Sequence, residues 1–210
     1  KGHVKLRLTF EGESAHSGYP HLGRNAIEPA GRAIIALARL REALAAERPA
    51  LHERFGVVPF VALNVACVHG GLAVNVVPDR CVLDVGFRPL PRMEPEPIIE
   101  RIRAAVAAAL GEVPFSLEMT GESPSMIGAA TEVYQRLRES VHQETEATVS
   151  YTTDAGWFQR AGMECVIFGP GSIEVAHKPD EYLPIDQFTR AGTILDDLLH
   201  AQCVAPVVEQ

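Results

Sequence analysis

The sequence predicts a mixed α/β (α+β) chain in two parts: a ferredoxin-like βαββαβ sandwich over residues 1–120, then an α/β segment over residues 121–210. Hydrophobic periodicity carries the first part, because alternation at period two and stripes at helical spacing succeed one another as strand, helix, strand, strand, helix, strand. That order suits a four-stranded antiparallel sheet with two helices on one face. The second part rests on two short apolar runs set among three helical stretches, beyond a linker-like stretch from Gly121 to Gly128 that holds Pro124 and two serines.

Each element has its own signal. Val4, Leu6, Leu8 and Phe10 alternate with His3, Lys5, Arg7 and Thr9, the period of a half-buried strand. Asn25 can cap the helix that follows, with Glu28 completing a capping-box-like start and Pro29 tolerated in the first turn. Ile27, Ala30, Ile34, Leu37 and Leu44 then keep helical spacing, with Arg41 the one polar member of the stripe. Strand-like runs from Phe60 to Val68 and from Arg80 to Phe87 are joined by a glycine-containing turn around His69 to Gly71. A second helix runs from Pro95 to Leu110 with Ile98, Ile102, Val106 and Ala109 on one face, and a strand at Phe115, Leu117 and Met119 closes the set. Beyond the linker the expected elements are a helix (Ala130 to Glu144), a strand (Ala147 to Tyr151), a short helix (Asp154 to Ala161), a strand (Glu164 to Phe168) and a final helix (Asp186 to Ala201). Two strands make a poor core of their own. The segment therefore reads as the second half of a sheet whose first half is absent, and a chain that starts at Lys1 directly before a strand fits one that begins inside a larger protein.

Composition narrows the function classes. With 210 residues and 47% hydrophobic content, the chain can bury one substantial core or two small ones. A net charge of −8 argues against a nucleic-acid partner, which favours a concentrated basic surface. No apolar run is long enough to span a bilayer and no signal peptide is visible, so no membrane partner is expected. The four cysteines, Cys67, Cys81, Cys165 and Cys203, form no Cys-x-x-Cys pair. Cys67, Cys81 and Cys165 sit in apolar strand-like runs, which reads as buried free thiols in a reducing cytoplasm.

The most informative stretch is Phe168-Gly169-Pro170-Gly171-Ser172-Ile173, followed by Ala176-His177-Lys178-Pro179-Asp180-Glu181-Tyr182. Val166 to Phe168 read as a buried strand end, and Gly169 and Gly171 allow a tight turn whose backbone N–H groups can approach a substrate. A single histidine, His177, follows on the loop. A catalytic zinc takes three protein ligands and keeps one position for water, so one histidine does not make a site. Three further segments stand in order before it: Gly12-Glu13-Ser14-Ala15-His16-Ser17-Gly18-Tyr19-Pro20 with Gly23-Arg24-Asn25-Ala26-Ile27; His69-Gly70-Gly71 with Asn75-Val76-Val77-Pro78; and Phe87-Arg88-Pro89-Leu90-Pro91.

Together these four segments resemble acetylornithine deacetylase-like members of the two-zinc aminoacylase, desuccinylase and carboxypeptidase family. The resemblance implies that residues 1–120 are a lid that also forms a homodimer contact, and that residues 121–210 are the C-terminal portion of an α/β zinc-hydrolase catalytic domain. It implies two zinc ions in the intact enzyme, with cobalt as a substitute, and hydrolysis of an N-acyl amino acid, N-acetylornithine to ornithine and acetate in arginine biosynthesis being favoured. The family's other zinc ligands and its general-base glutamate lie in an N-terminal segment that nothing here matches, so this chain alone is expected to be inactive. Other N-acyl substrates, such as succinyl-diaminopimelate, and a non-catalytic dimerisation module are the alternatives.

The resemblance also assigns residues, each with a plainer reading beside it. His177 is the zinc ligand; read alone, it is a solvated loop histidine beside Asp180 and Glu181, to which structural or hydrogen-bonding roles are given. Asp154 is read as a helix N-cap. His16 reaches the partner subunit's site and stabilises the oxyanion, a contribution of about 3 kcal/mol. Tyr19 is a weaker match to an aromatic used in the same way, and both residues could otherwise be surface side chains. Asn75 and Arg88 hold the substrate's amide and carboxylate, a guanidinium fork suiting a carboxylate through two parallel hydrogen bonds. The alternatives are a turn residue for Asn75 and a local pair with Asp84 for Arg88.

Overall fold

A computed structural model describes residues 1–141 and 147–204. The chain divides into two units, residues 1–127 with 147–157 and residues 128–146 with 158–210.

The first unit is organised by strand β1 (His3–Glu11). Its alternating pattern resolves as the sequence implies: Val4, Leu6, Leu8 and Phe10 are all buried, while His3, Lys5 and Arg7 take the other face. Antiparallel partners lie on both sides, β5 (Arg80–Arg88) with Leu8 opposite Leu83, and β6 (Ser116–Ser123) with Leu8 opposite Leu117. Strand β3 (Ala62–Gly70) adds to the far side of β5, giving the order β3-β5-β1-β6. Strands β3 and β5 are joined directly, whereas β1 reaches its partners β5 and β6 through connections that carry the helices, which is the ferredoxin-like arrangement. Helices α1 (Ile27–Ala46) and α2 (Glu96–Leu110) cover one face, through Ala30, Ala33, Leu37 and Leu44 of the first and Ile98, Ile99, Ile102, Val106 and Leu110 of the second. Arg101 on α2 grips Glu47, just past α1, with two hydrogen bonds of 3.0 and 2.6 Å. The other face of the sheet carries the polar row.

Several boundaries differ from the expectation. Asn25 does meet the start of α1, its Oδ1 accepting from the Ile27 N–H at 2.9 Å, but it stands one residue before the cap position. Strand β3 begins at Ala62 and runs through His69 and Gly70, so the turn starts only at Gly71, whose φ is +79°. Strand β6 continues through Gly121, Glu122 and Ser123, residues expected in the linker, because the outer edge of β1 offers them His3, Val4 and Lys5 as partners. A shift in register between Lys5 and Leu6 accommodates the extension.

Between Val65 and Cys67 strand β3 carries a bulge: Val65 stands opposite Val85 and Cys67 opposite Asp84, so Ala66 is the extra residue. A bulge reverses the parity of alternation beyond it. Cys67 is therefore exposed, contrary to the expectation of a buried thiol; Cys81 is buried, Cys165 is half-buried and Cys203 is exposed. All four are free.

In the second unit, α3 (Glu132–Val141) and α5 (Ile185–Leu199) pack together, with Leu137, Thr131 and Ala191 the buried side chains among the described residues. The last three residues of the helix expected from Ala130 to Glu144 lie outside the described residues. A short helix α4 (Ala155–Arg160) occupies the expected place. The strands expected at 147–151 and 164–168 are not formed. Neither joins a named sheet: the carbonyls of Val149 and Tyr151 accept from the Lys1 ammonium at 3.2 and 3.3 Å, just short of the start of β1, and these bonds do not continue as a ladder. Ile185, Phe188 and Leu199 are exposed on α5, a face more apolar than a solvated helix needs.

Gly12 fixes how the chain leaves β1. Its N–H donates to the Asp79 carbonyl at 2.6 Å, and a Cβ built on it would lie 2.1 Å from the Arg24 carbonyl oxygen. Leu8→Ala should lower unfolding free energy by about 2–5 kcal/mol in chemical denaturation, against about 0.5 kcal/mol or less for Val57→Ala, since Leu8 is fully buried and Val57 is 94% exposed. Gly12→Ala should displace the 12–26 loop and destabilise the first unit. Its thermal melting should fall measurably, and an unchanged melt would show that the Arg24 backbone yields freely.

Candidate functional site

The loop beyond β1 is folded by backbone hydrogen bonds. Glu13 and Arg24 exchange them at 2.8 and 2.9 Å, and the Ala26 N–H donates to the Pro78 carbonyl at 2.8 Å. Between these clamps a two-residue strand, β2 (Ala15–His16), pairs with β4 (Val76–Val77), His16 lying opposite Val76. The Ser17 N–H adds a bond of 2.9 Å to the Asn75 carbonyl. This small ladder, which the sequence did not reveal, brings His16 and Asn75 side by side. Both are exposed, as is Tyr19, whose ring stands edge-on to His16 with centroids 6.2 Å apart. The Nδ1 of His16 accepts from the Gly18 N–H at 3.1 Å. In the neutral ring this places the proton on Nε2, leaving an outward-facing donor held in orientation from behind. Next to the ladder an open cavity of about 590 Å³ is lined by Ser17, Asn25, Ile27, Leu72, Val74 and Val77.

Arg88 lies at the opposite end of the sheet. Strand β5 begins at Arg80 beside Glu11 and ends at Arg88, eight residues on and just beyond Phe87, which pairs with Val4. At ~3.3 Å per residue the strand separates the His16 and Asn75 end from Arg88 by roughly 26 Å. Asn75, before the start of β5, and Arg88, at its far end, are thus a strand length apart within one chain. Arg88 does not pair with Asp84: that carboxylate accepts from Arg7 Nε at 2.8 Å, a hydrogen bond that holds its pKa below the usual carboxylate range. Arg88 is half-buried, and its Nη1 is buried with no hydrogen-bond partner among the described residues. Burial lowers its pKa, and at neighbouring His3 burial, then Arg88 and Lys5, act in the same direction. A buried, unpartnered guanidinium nitrogen in a cationic setting is a place for an anion.

In the second unit, Gly171 turns the chain with φ +96°, and its N–H donates to Gln187 Oε1 at 2.9 Å. That donor is thus used within the chain, where the sequence reading had left it for substrate; Gly169 is exposed, with nothing near the position of a Cβ. His177 is exposed and left-handed (φ +61°), as is Asp180 (φ +62°), a conformation that His and Asp adopt more readily than most residues. The His177 N–H donates to Glu181 Oε2 at 3.0 Å, so Glu181 ties the loop backbone. At the start of α4 the capping oxygen is Thr153 Oγ1, which accepts from the Ala155 N–H at 3.3 Å, whereas Asp154 contributes its carbonyl to the Trp157 N–H.

His177, Asp180, Glu181 and Asp154 enter no cluster of three potential metal ligands among the described residues. These residues do not by themselves fit a two-zinc centre. The one such cluster is Cys67, His69 and Asp84, on the open face of the sheet. Sequence reasoning missed it because Cys67 lies in an apolar run; the available signal was the Cys-x-His spacing, which puts two ligands on one face of a strand.

Comparison with known proteins agrees with the fold. Residues 1–114 match the peptidase dimerisation domain family. The acetylornithine deacetylase of Myxococcus xanthus is 34% identical over 199 residues, covering 93% of this chain and 51% of the relative. That of Edwardsiella ictaluri is 32% identical over 206 residues, covering 97% and 53%. Thus the chain spans about half the length of the curated relatives it matches. Among solved structures, a metallo-carboxypeptidase from Sulfolobus solfataricus superposes with a TM-score of 0.64 at 18% identity, covering 95% of this chain and 58% of that one. An amidase of the hydantoinase/carbamoylase family from Burkholderia vietnamiensis gives 0.67 at 16%, covering 98% and 49%. With the four-stranded sheet, its two covering helices and the 1–114 match in agreement, the chain belongs to the peptidase dimerisation domain family.

Proposed function

We propose that this chain is part of a metal-dependent amidohydrolase that cleaves the acyl group from an N-acyl amino acid, with N-acetylornithine the favoured substrate. Residues 1–120 serve as the lid and homodimer contact, and residues 121–210 as the C-terminal portion of the catalytic domain. The substrate preference rests on relatives named acetylornithine deacetylase, and a net charge of −8 does not repel a cationic side chain. Free thiols throughout suit a reducing cytoplasm.

The observation that carries the reading is the separation of His16 and Asn75 from Arg88 by the length of β5. A substrate held by all three needs two chains, Arg88 from one and His16 with Asn75 from the other. Exposure of His16 and Asn75 on a projecting ladder suits that role, and so does the unpartnered Nη1 of Arg88. Arg88 binds the substrate carboxylate through parallel N–H donors, and the Asn75 side chain meets the amide. As the acyl carbon becomes tetrahedral, charge grows on its oxygen, and His16 Nε2–H donates to it. A positioned donor of this kind is worth about 3 kcal/mol in the transition state. The zinc pair implied by the resemblance is not assembled by the described residues, His177 being its single candidate ligand, so this chain's contribution is substrate binding and charge stabilisation.

In the full-length protein, His16→Ala should lower kcat about 100-fold with little change in KM, whereas Arg88→Ala should act mainly by raising KM for the N-acyl amino acid; steady-state kinetics on N-acetylornithine check both. Mixing the two impaired variants should restore kcat/KM toward that of the wild type in part, because each mixed dimer assembles one site with an intact His16 and an intact Arg88. Failure to complement, with mixed dimers shown to form, would place both residues at the same chain's site. Absence of metal-dependent hydrolysis of any N-acyl amino acid would refute the enzymatic reading itself.

A further inference from the structure

The open face of the sheet holds an arrangement that plays no part in the hydrolytic reading. On β5, Cys81, Leu83 and Val85 face the core, so Val82 and Asp84 face the other way. Opposite them on β3 stand His69, across from Val82, and Cys67, across from Asp84. Were Ala66 paired with Asp84 in a continuous, unbulged register, Cys67 would stand against Leu83, on the core side. The bulge is what turns the thiol, the imidazole and the carboxylate onto one surface.

The potential ligand atoms of these three side chains all lie within 4.8 Å of one another. His69 Nε2 and Asp84 Oδ2 are 3.9 Å apart, too far for a hydrogen bond. A tetrahedral zinc with bonds of about 2.0–2.3 Å sets its ligand atoms roughly 3.3–3.6 Å apart, so contractions of about 0.5 to 1.5 Å, taken up mainly by the exposed Cys67 and His69 side chains, would close the site. Arg7 Nε donates to the other carboxylate oxygen, Oδ1, at 2.8 Å, which orients Asp84 and leaves Oδ2 directed toward His69. Metal-binding carboxylates are commonly held by such an outer hydrogen bond.

We infer that Cys67, His69 and Asp84 form a divalent-metal site of zinc type on the open face of the sheet. One sulfur, one imidazole nitrogen and one carboxylate oxygen suit zinc among the common divalent ions, and the fourth position falls to water. Both Cys67 and His69 are exposed, so the ion has access from solvent. The thiol proton passes to solvent as sulfur binds, and no redox step is involved. Bound there, the ion ties the edge strand β3 to β5 where the bulge interrupts their ladder.

Cobalt(II) tests the assignment, because a thiolate ligand gives it a strong near-ultraviolet charge-transfer absorption that histidine and carboxylate ligands do not. The full-length protein, stripped with a chelator and titrated with cobalt(II) chloride, should develop that absorption to saturation at one thiolate-bound ion per chain, and zinc should abolish it by displacement. Cys67→Ser should remove the absorption, and His69→Ala should weaken cobalt binding about tenfold or more. No thiolate absorption in the wild type would overturn the site. So would an absorption that survives Cys67→Ser in a variant with an unchanged circular dichroism spectrum, since another cysteine would then supply the sulfur. Should Cys67→Ser fold poorly, His69→Ala decides alone, and unchanged cobalt affinity in it overturns the assignment. The hydrolytic reading can fail without altering this absorption, because none of its residues supplies a thiolate.

Discussion

Burial of one row of side chains on β1 is the constraint from which the first unit follows. Val4, Leu6, Leu8 and Phe10 are each at most 1% exposed, so the strand cannot slip by one residue without turning four large apolar groups into water. Fixed register on β1 fixes β5 and β6 beside it, and β5 fixes β3. The functional geometry inherits this order. The arm carrying His16 leaves one end of β1, while Arg88 stands beside its other end, so the distance between them is a strand length set by the core.

Much of the first unit was legible because its pattern is strong. The period-two row of β1 and the stripes of α1 and α2 each commit an entire face to the core, and the resulting order of elements leaves few topologies open. What was not legible depends on chain that is remote in sequence. Extension of β6 through Gly121 comes from the pairing edge of β1, which overrides a local composition suited to a linker. The bulge at Ala66 leaves no mark in the alternation of β3, so an apolar run hid the exposure of Cys67. The apolar runs at 147–151, in the first unit, and at 164–168, in the second, have the composition of strands, yet composition supplies no partner strand.

The candidate site was legible as residues and not as an arrangement. The motifs pointed to His16, Asn75 and Arg88, but β2 and β4 are two residues each, far below the length at which periodicity speaks. Their pairing is what sets Asn75 beside His16. Two assignments shifted on contact with the geometry: Gln187 takes the Gly171 N–H, and Thr153 provides the cap given to Asp154; Glu181 holds the backbone of His177, a hydrogen-bonding role of the kind read for it. In the first two cases a polar side chain nearby in the fold took the role read from the motif.

The ladder of β2 and β4 is short enough to behave as a separately melting element. Two paired residues on each side, outside the main sheet and capped by the Ser17 to Asn75 bond, hold little free energy compared with the sandwich beneath. Local opening of this arm should therefore cost less free energy than unfolding of the sandwich, so the backbone amides of β2 and β4 should exchange their hydrogens with solvent before those of β1. Thermal adaptation of such a protein would then be expected to act first on the few side chains around this ladder, leaving the packed interior unchanged.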